Sequence, residues 1–423
     1  MKILWIVNTI FPVPANRVGL KTTVFGGWLN SLQQALEKSR KIDRLAIATV
    51  YNGKDLKKII DKNSIYYLIP SKNFYKYSIA LENYFLQIYD DFKPDLVHVH
   101  GTEYPHSLAA IKCSNSIKTI VSIQGLVSIC GKKDIYNAGI NNCELLSSIT
   151  LRDIVKKDFL FLQYRKFLKR GSFEKEALKK CNYIVGRTSW DRAYAYDISH
   201  QNKYEVCNES LRATFYNNDW NIKNIEKHSI FVSQASYPIK GFHILLKSAS
   251  ILKEKYPNLK IYVAGDDIIK SNSNCFSNKI KLTGYGKYIL KLMKKYELND
   301  CVTFLGLLNE KEMVTSLLKA NVFVQASSIE NSPNSLGEAM LIGMPCVASY
   351  VGGTADMLFD KKEGYLYPFG DYAMLAYYIS KIFDKDNIAV ELGKSAQKHA
   401  KITHSVENNA NQMLEIYNKV INK

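Results

Sequence analysis

The chain has 423 residues, 47% of them apolar and 23% charged, which excludes wholesale disorder and leaves room for two or three domains with cores of their own. Lysine and arginine number 57 against 39 aspartates and glutamates, a formal charge of +18, and that balance favours polyanionic partners: an anionic membrane, a nucleic acid or a phosphorylated substrate. No run approaches the ~20 apolar residues of a transmembrane helix, and eight scattered cysteines (113, 130, 143, 181, 207, 275, 301 and 346) without CxxC or paired histidines read as small core residues rather than a zinc site or disulfide set.

The opening MKILWIVN holds an apolar run, ILWIV, that Asn8 and Thr9 cut short of a secretory h-region; it reads as a first buried strand of a cytoplasmic protein. Further strands are predicted at 44–51, 95–101, 118–125 and 183–188. A second series follows at 229–236, 259–265, 301–306, 322–327 and 345–350. Near-continuous apolar strands separated by amphipathic helices imply parallel sheets covered on both faces. Two series imply two Rossmann-like domains, joined in the polar stretch 208–228. After the first strand of the second series, Phe242, Leu245, Leu246, Ala249 and Leu252 recur at helical spacing, and Pro257 and Asn258 stop the helix before LKIYVAG returns. No GxGxxG follows the first strand, and GYG at 284–286 lacks both a third glycine and a preceding strand, so a nicotinamide cofactor is not expected.

The chemistry concentrates in SSIENSPNSLGEAMLIGMPCVASYVGGTADMLFDKKEGYLYP, residues 327–368. A strand ends near Ala326 and a helix is predicted from about Pro333 to Ile342, stopped by Gly343 and Pro345. Glu330 precedes that helix and Glu338 lies in its first turns. The amides of Asn334, Ser335 and Leu336 open the helix as an anion site. Two carboxylates flanking such a site suit the hydroxyls on either side of a diphosphate. Ser335-x-x-Glu338 is also a capping-box pattern, which would make it purely structural.

Glu330 and Glu338 are spaced as in the E-x7-E signature of the family 4 glycosyltransferases, and EAMLIGMP, VASYVGG and EGYLYP follow in the family's order. Upstream, SQASYPIKGFHILLKSASILKEKYPNLKIYVAG is similar to the family's first C-terminal βαβ unit, with Lys240-Gly241 at its lysine–glycine position. Gly26-Gly27 matches the glycine pair opening the first N-terminal helix, and DLVHVHG a recurrent strand. The resemblance spans nearly the whole chain and is most specific over 229–368.

The resemblance implies a GT-B fold: two Rossmann-like α/β domains facing across a cleft, with the C-terminal helix crossing back to the N-terminal domain. The expected domains are 1–215 with 400–423, binding the acceptor, and 216–399, binding the donor. It implies a retaining transfer of a hexosyl-type sugar from a nucleotide-diphosphate donor, a UDP-sugar, to a lipid-linked or cell-surface polysaccharide, with no divalent metal or other cofactor. Glu338 would hold the donor ribose and Glu330 the transferred sugar. Lys240 and the amides of Asn334 to Leu336 would meet the diphosphate charge, and Gly26 and Gly27 would let backbone approach the donor.

Two positions depart from the family. Its arginine six residues before the lysine is here Gln234, a loss worth about 1.5–3 kcal/mol of charged hydrogen bonding unless compensated. A histidine common after the fourth predicted strand is replaced by Gln124, which could still reach a sugar hydroxyl; His100 and His106 are nearby alternatives, and His98 reads as a core histidine. These departures also suit a non-catalytic nucleotide- or glycan-binding protein on the same fold, against which the intact Lys240, Glu330 and Glu338 argue. Arg187, Asp191 and Arg192 in GRTSWDRA line the cleft or form a structural ion pair. A nucleic-acid binder would interleave aromatics with basic residues in a recognisable module, and none is present.

Residues 151–180 carry ten basic side chains against four acidic ones, with Phe159, Leu160, Phe161 and Leu162 among them. The stretch reads either as a basic amphipathic helix lying on the inner face of an anionic membrane or as a domain helix with a solvated charged face.

Overall fold

The computed structural model describes residues 1–21, 26–62, 64–269 and 281–422; Cys275 lies outside them. The described chain divides into two compact α/β units, Met1–Ile129 with Phe167–Leu211 and Thr403–Lys423, and Cys130–Lys166 with Arg212–Ile402.

The first unit is built on β1 (Lys2–Val7), β2 (Arg44–Tyr51), β3 (Lys57–Asp61), β4 (Ser64–Pro70), β5 (Leu96–His100), β6 (Lys118–Ser122), β7 (Tyr183–Gly186) and β8 (Lys203–Val206). They form one sheet in the order β3-β4-β2-β1-β5-β6-β7-β8, parallel throughout except for the β3–β4 hairpin. The strand KILWIV is central and Ile3 to Val7 are buried, because both faces of a parallel sheet are covered. The order reverses between β1, which pairs β2 on one side, and β5 on the other. The C-terminal helix Val406–Ile421 belongs to this unit and adds Met413, Leu414, Tyr417 and Val420 to the core around Trp5 and Leu36. The Tyr417 hydroxyl accepts from Trp5 Nε1 at 2.9 Å and meets His98 at 2.7 Å.

The second unit holds β9 (Ser229–Val232), β10 (Lys260–Ala264), β11 (Val302–Gly306), β12 (Val322–Gln325), β13 (Cys346–Ser349) and β14 (Tyr365–Tyr367), a fully parallel sheet in the order β11-β10-β9-β12-β13-β14. The helix Phe242–Lys255 buries Phe242, Leu245, Leu246, Ala249 and Leu252, the stripe its periodicity predicts. GYG at 284–286 opens the helix Gly284–Lys295 under a Thr283 cap.

Residues 130–166, expected in the first domain, pack with the second unit. The Ala138 carbonyl meets His243 Nε2 at 2.8 Å, Tyr288 donates to Glu144 at 2.9 Å, and Lys287 donates to the Ile149 carbonyl at 2.7 Å. The basic stretch 151–180 is accordingly broken. Leu151–Lys156 is a short helix ended by Lys157 in the left-handed conformation. A 3-10 turn at Leu160–Leu162 and the helix Tyr164–Lys180 follow, with Gly171, Glu174, Ala177 and Leu178 buried. Phe159 to Leu162 are half-buried or buried. Among the described residues, no helix is long and apolar enough to cross a membrane.

Candidate functional site

Lys240 and Glu330 stand beyond the carboxyl ends of the neighbouring parallel strands β9 and β12, where open α/β sheets bind ligands, and Glu338 lies in the helix that follows. β9 runs into the 3-10 turn Pro238–Lys240, β12 into the loop that carries Glu330, and β13 into the loop containing Gly352. Gly241 takes the left-handed conformation, φ 65°, and a side chain there would lie 1.7 Å from the Ala326 carbonyl oxygen. Only glycine lets the lysine turn and the glutamate loop approach so closely.

Lys240 Nζ donates to Glu330 Oε1 at 2.7 Å, and Ser327 Oγ donates to the same oxygen at 2.7 Å. Burial works against the lysine's charge, but the Glu330 carboxylate outweighs it and holds the pKa above the ordinary lysine value. The ammonium thus stays charged, with two further N–H donors beyond the one given to Glu330.

Glu338 sits on the helix Asn334–Leu341, whose residues from Leu336 to Leu341 are all buried. The helix ends in a Schellman turn: Gly343, φ 77°, donates to the Met340 carbonyl, and Met344 donates to that of Ala339. At the other end the capping-box reading fails. Pro333 occupies the cap position with no side-chain bond, and the Glu338 carboxylate is instead gripped by Arg212, Nε to Oε1 and Nη2 to Oε2, both at 2.6 Å. Burial raises the Glu338 pKa and Arg212 pulls it back, leaving it above the ordinary carboxylate value. The three expected free amides become two. The Leu336 N–H donates to the Pro333 carbonyl at 3.0 Å, so among the described residues those of Asn334 and Ser335 remain open. Gln234 lies half-buried in the loop after β9.

Gly26, Gly27, His100 and Gln124 belong to the first unit. Gly26, φ 78°, caps the helix Gly27–Ser39, and a side chain there would lie 2.6 Å from the Thr9 hydroxyl. His100 ends β5 but is 2% exposed, packed against Trp5, Trp28 and His98, with ring centroids 4.6, 5.6 and 3.8 Å away. Burial, helped by His98, holds its pKa well below the ordinary histidine value, so it is a neutral ring. It lines a cavity of about 20 Å³ with Ser122, Arg187 and Glu209, large enough for a single water. Gln124 Nε2 donates to Glu209 Oε1 at 2.6 Å, and Glu209 also pairs with Arg187. His98 is the core histidine expected, between Tyr417 and Ser122. His106 is buried too, its Nε2 3.2 Å from the Val7 carbonyl. Asp191 closes a capping box with Thr188 at the head of the helix Ser189–Ile198.

Sequence reasoning missed Arg212 and Ser327. Glu338 inside the apolar run LGEAML had to be buried and so needed a cation, but nothing in the local pattern selects Arg212 from the 57 basic residues.

Residues 214–399 match the family described as Glycosyl transferases group 1. Among curated proteins, a D-inositol 3-phosphate glycosyltransferase of Corynebacterium urealyticum is 27% identical over 42% of this chain and 40% of its own length. Spore coat protein SA of Bacillus subtilis is 26% identical over 46% of this chain and 49% of its own; the chain thus spans about half or less of these relatives. The fold is that of solved GT-B glycosyltransferases. Sucrose-phosphate synthase of Thermosynechococcus elongatus superposes with a TM-score of 0.72 at 16% identity, covering 99% of this chain and 98% of its own. Anabaena HepE, crystallised with UDP and glucose, superposes with a TM-score of 0.67 at 14% identity, covering 99% and 100%.

Proposed function

We propose that the protein is a retaining family 4 glycosyltransferase that moves a hexosyl sugar from a UDP-sugar to a lipid-linked or cell-surface polysaccharide, at the inner face of the cell membrane. The observation that carries the reading is the meeting of Lys240 with Glu330 beside the open amides of Asn334 and Ser335, at the carboxyl ends of β9 and β12. One cation and one helix N-terminus suit a diphosphate, and one carboxylate on each side suits hydroxyls. HepE is a structural neighbour that has been crystallised with UDP-glucose, which supports the choice of donor.

In this reading Glu338 accepts from the ribose and Glu330 from the sugar. The bond from the sugar's anomeric carbon to the diphosphate oxygen breaks as a bond to the acceptor oxygen forms on the same face, and the acceptor's proton passes to the departing phosphate. Charge grows on the diphosphate as the bond breaks. Lys240 and the two amides oppose it there, with Gln234 at the position of the family's arginine, so that no divalent ion is required.

Calorimetric titration with UDP, GDP and ADP in EDTA, on the wild type and Glu338→Ala, tests this. Micromolar binding of UDP, indifferent to chelator and weakened about 10- to 100-fold by the substitution, is expected from the loss of charged hydrogen bonds. A folded protein that binds none of the three would remove the donor site and favour a non-catalytic glycan-binding role.

A further inference from the structure

Arg212 is the residue with which the chain re-enters the second unit, in a stretch whose sequence reads as a polar connection. Its guanidinium is not a surface group. The side chain is 14% exposed, and that of its partner Glu338 is 6% exposed. The two are joined by a parallel pair of hydrogen bonds, each 2.6 Å. The guanidinium also stands 4.9 Å from the centre of the Phe215 ring. Glu310, whose carboxylate accepts from the Thr214 amide at 2.7 Å, adds a second negative charge beside Arg212 and Glu338.

A buried carboxylate without a partner either takes up a proton or turns to find one. A bidentate fork prevents both, because it fixes the plane of the carboxylate as well as its charge. It also leaves something over. Each carboxylate oxygen has two acceptor sites, and the fork uses one of each. The other two lie in the same plane and diverge, each able to receive one hydroxyl.

Resting on the donor reading above, we infer that Arg212 is the positioning residue of the donor site: it holds Glu338 in the one orientation in which a remaining acceptor site of its carboxylate meets a hydroxyl of the donor's ribose. Arg212 touches no reacting atom. It acts through Glu338 alone, so its contribution to binding vanishes when the ribose hydroxyls are removed.

That dependence separates positioning from a general structural role. The nucleoside diphosphate among UDP, GDP and ADP that binds the wild type best is titrated beside its 2′,3′-dideoxy counterpart, on the wild type, Arg212→Met and Arg212→Lys, with folding followed by circular dichroism. The wild type should prefer the ribose form about 10- to 100-fold, the worth of hydrogen bonds to a charged group. In Arg212→Met the ratio should collapse to about twofold or less, because the two contributions share one carboxylate and are not additive. Arg212→Lys keeps the charge without the fork, and its ratio should fall at least threefold. If Arg212→Met does not fold, the lysine variant decides. An unchanged ratio in a folded variant, with the wild type still preferring the ribose form, overturns the positioning role and leaves the donor site standing. A wild type that binds none of the three nucleotides overturns the donor site and this role with it.

Discussion

A carboxylate taken out of water must find donors or take up a proton, and the buried glutamates of this chain divide along that line. Glu338 has Arg212, and Glu209 has Arg187 and Gln124. Glu174 has only dipoles: its oxygens accept from the Val127 and Ser128 amides at 2.9 Å each, and no cation among the described residues pairs with it. Burial pushes its pKa up to about 7, with the charge of Glu103 adding to the rise against those amides. Because the folded-state value lies above the ordinary 4.5, the group's stabilising contribution is complete below about pH 4.5 and is lost as the pH climbs through 7. The loss is on the order of 3 kcal/mol. Glu174→Gln removes the titration but turns an amide nitrogen toward one backbone N–H, a fixed cost at every pH. Urea unfolding of both proteins at pH 5 and pH 8 should therefore show the variant's deficit shrinking by 2 kcal/mol or more at the higher pH (about 1.4 kcal/mol per unit of unfavourable titration). A deficit that stays constant would mean that Glu174 is ionised in the folded protein throughout.

Among loops and turns, the segment 326–330 matters most, since it carries Glu330 and is braced from two sides by glycine. Gly241 closes on the Ala326 carbonyl, and Gly352, φ 52°, closes on the Glu330 carbonyl, where a side chain would lie 1.9 Å from the oxygen. That carbonyl accepts from the Gly353 amide at 3.0 Å, and the Ser328 amide donates to Ile239 at 2.8 Å. Gly139 shares the positive φ, 79°, with no neighbour within 4 Å of a side chain built there. Gly139→Ala should cost only the left-handed strain, about 1–2 kcal/mol. Gly241→Ala and Gly352→Ala should cost at least about 2 kcal/mol more and weaken nucleotide binding, as overpacking against backbone does. Thermal unfolding and calorimetry on the three variants would show it, and three equal costs would reject the bracing. These glycines were visible in KGF and YVGG, as were the E-x7-E spacing and the ten predicted strands, because each is a local pattern: an apolar run, or a turn that needs positive φ. β4, SIYYLIP, has a strand's composition but is not among the predicted strands. β3 and β8 are half-exposed sheet edges and β14 has three residues, too little for periodicity to register. The break after Lys156 was hidden, because the left-handed residue that ends the helix is a lysine and no glycine marks it. The pairing of Arg212 with Glu338, and the packing of 130–166 beside His243 and Tyr288, join residues more than a hundred positions apart, where no short-range pattern reaches.

The charge of the whole chain, +18, gains a direction once the exposed apolar side chains are placed. Leu146, Leu151, Ile154 and Val155 are 57%, 73%, 56% and 82% exposed, all within residues 146–157 of the second unit, next to the exposed Lys156 and Lys157. Lys287 and Lys291 are tied to the carbonyls of Ile149 and Ser147 in the same segment. Aliphatic side chains amid lysines are what an anionic lipid surface recruits: each basic residue near such a surface contributes about 1 kcal/mol, and each aliphatic group entering the interface adds to it. The second half of the basic stretch does not share in this, since Gly171, Glu174, Ala177 and Leu178 are core residues of the first unit. On the proposal of a membrane-borne acceptor, the protein should sediment with vesicles containing about a third phosphatidylglycerol and remain in solution with neutral ones. Raising the salt should weaken the binding, as screening shortens the reach of the lysines. Leu151→Glu with Val155→Glu, two largely exposed positions whose change leaves the core untouched, should reduce vesicle binding at least tenfold while leaving calorimetric UDP binding as it was. Equal sedimentation of the wild type and the double variant would remove the 146–157 segment from the membrane contact. A loss of UDP binding in the double variant would show that the segment serves the donor site and not a lipid surface.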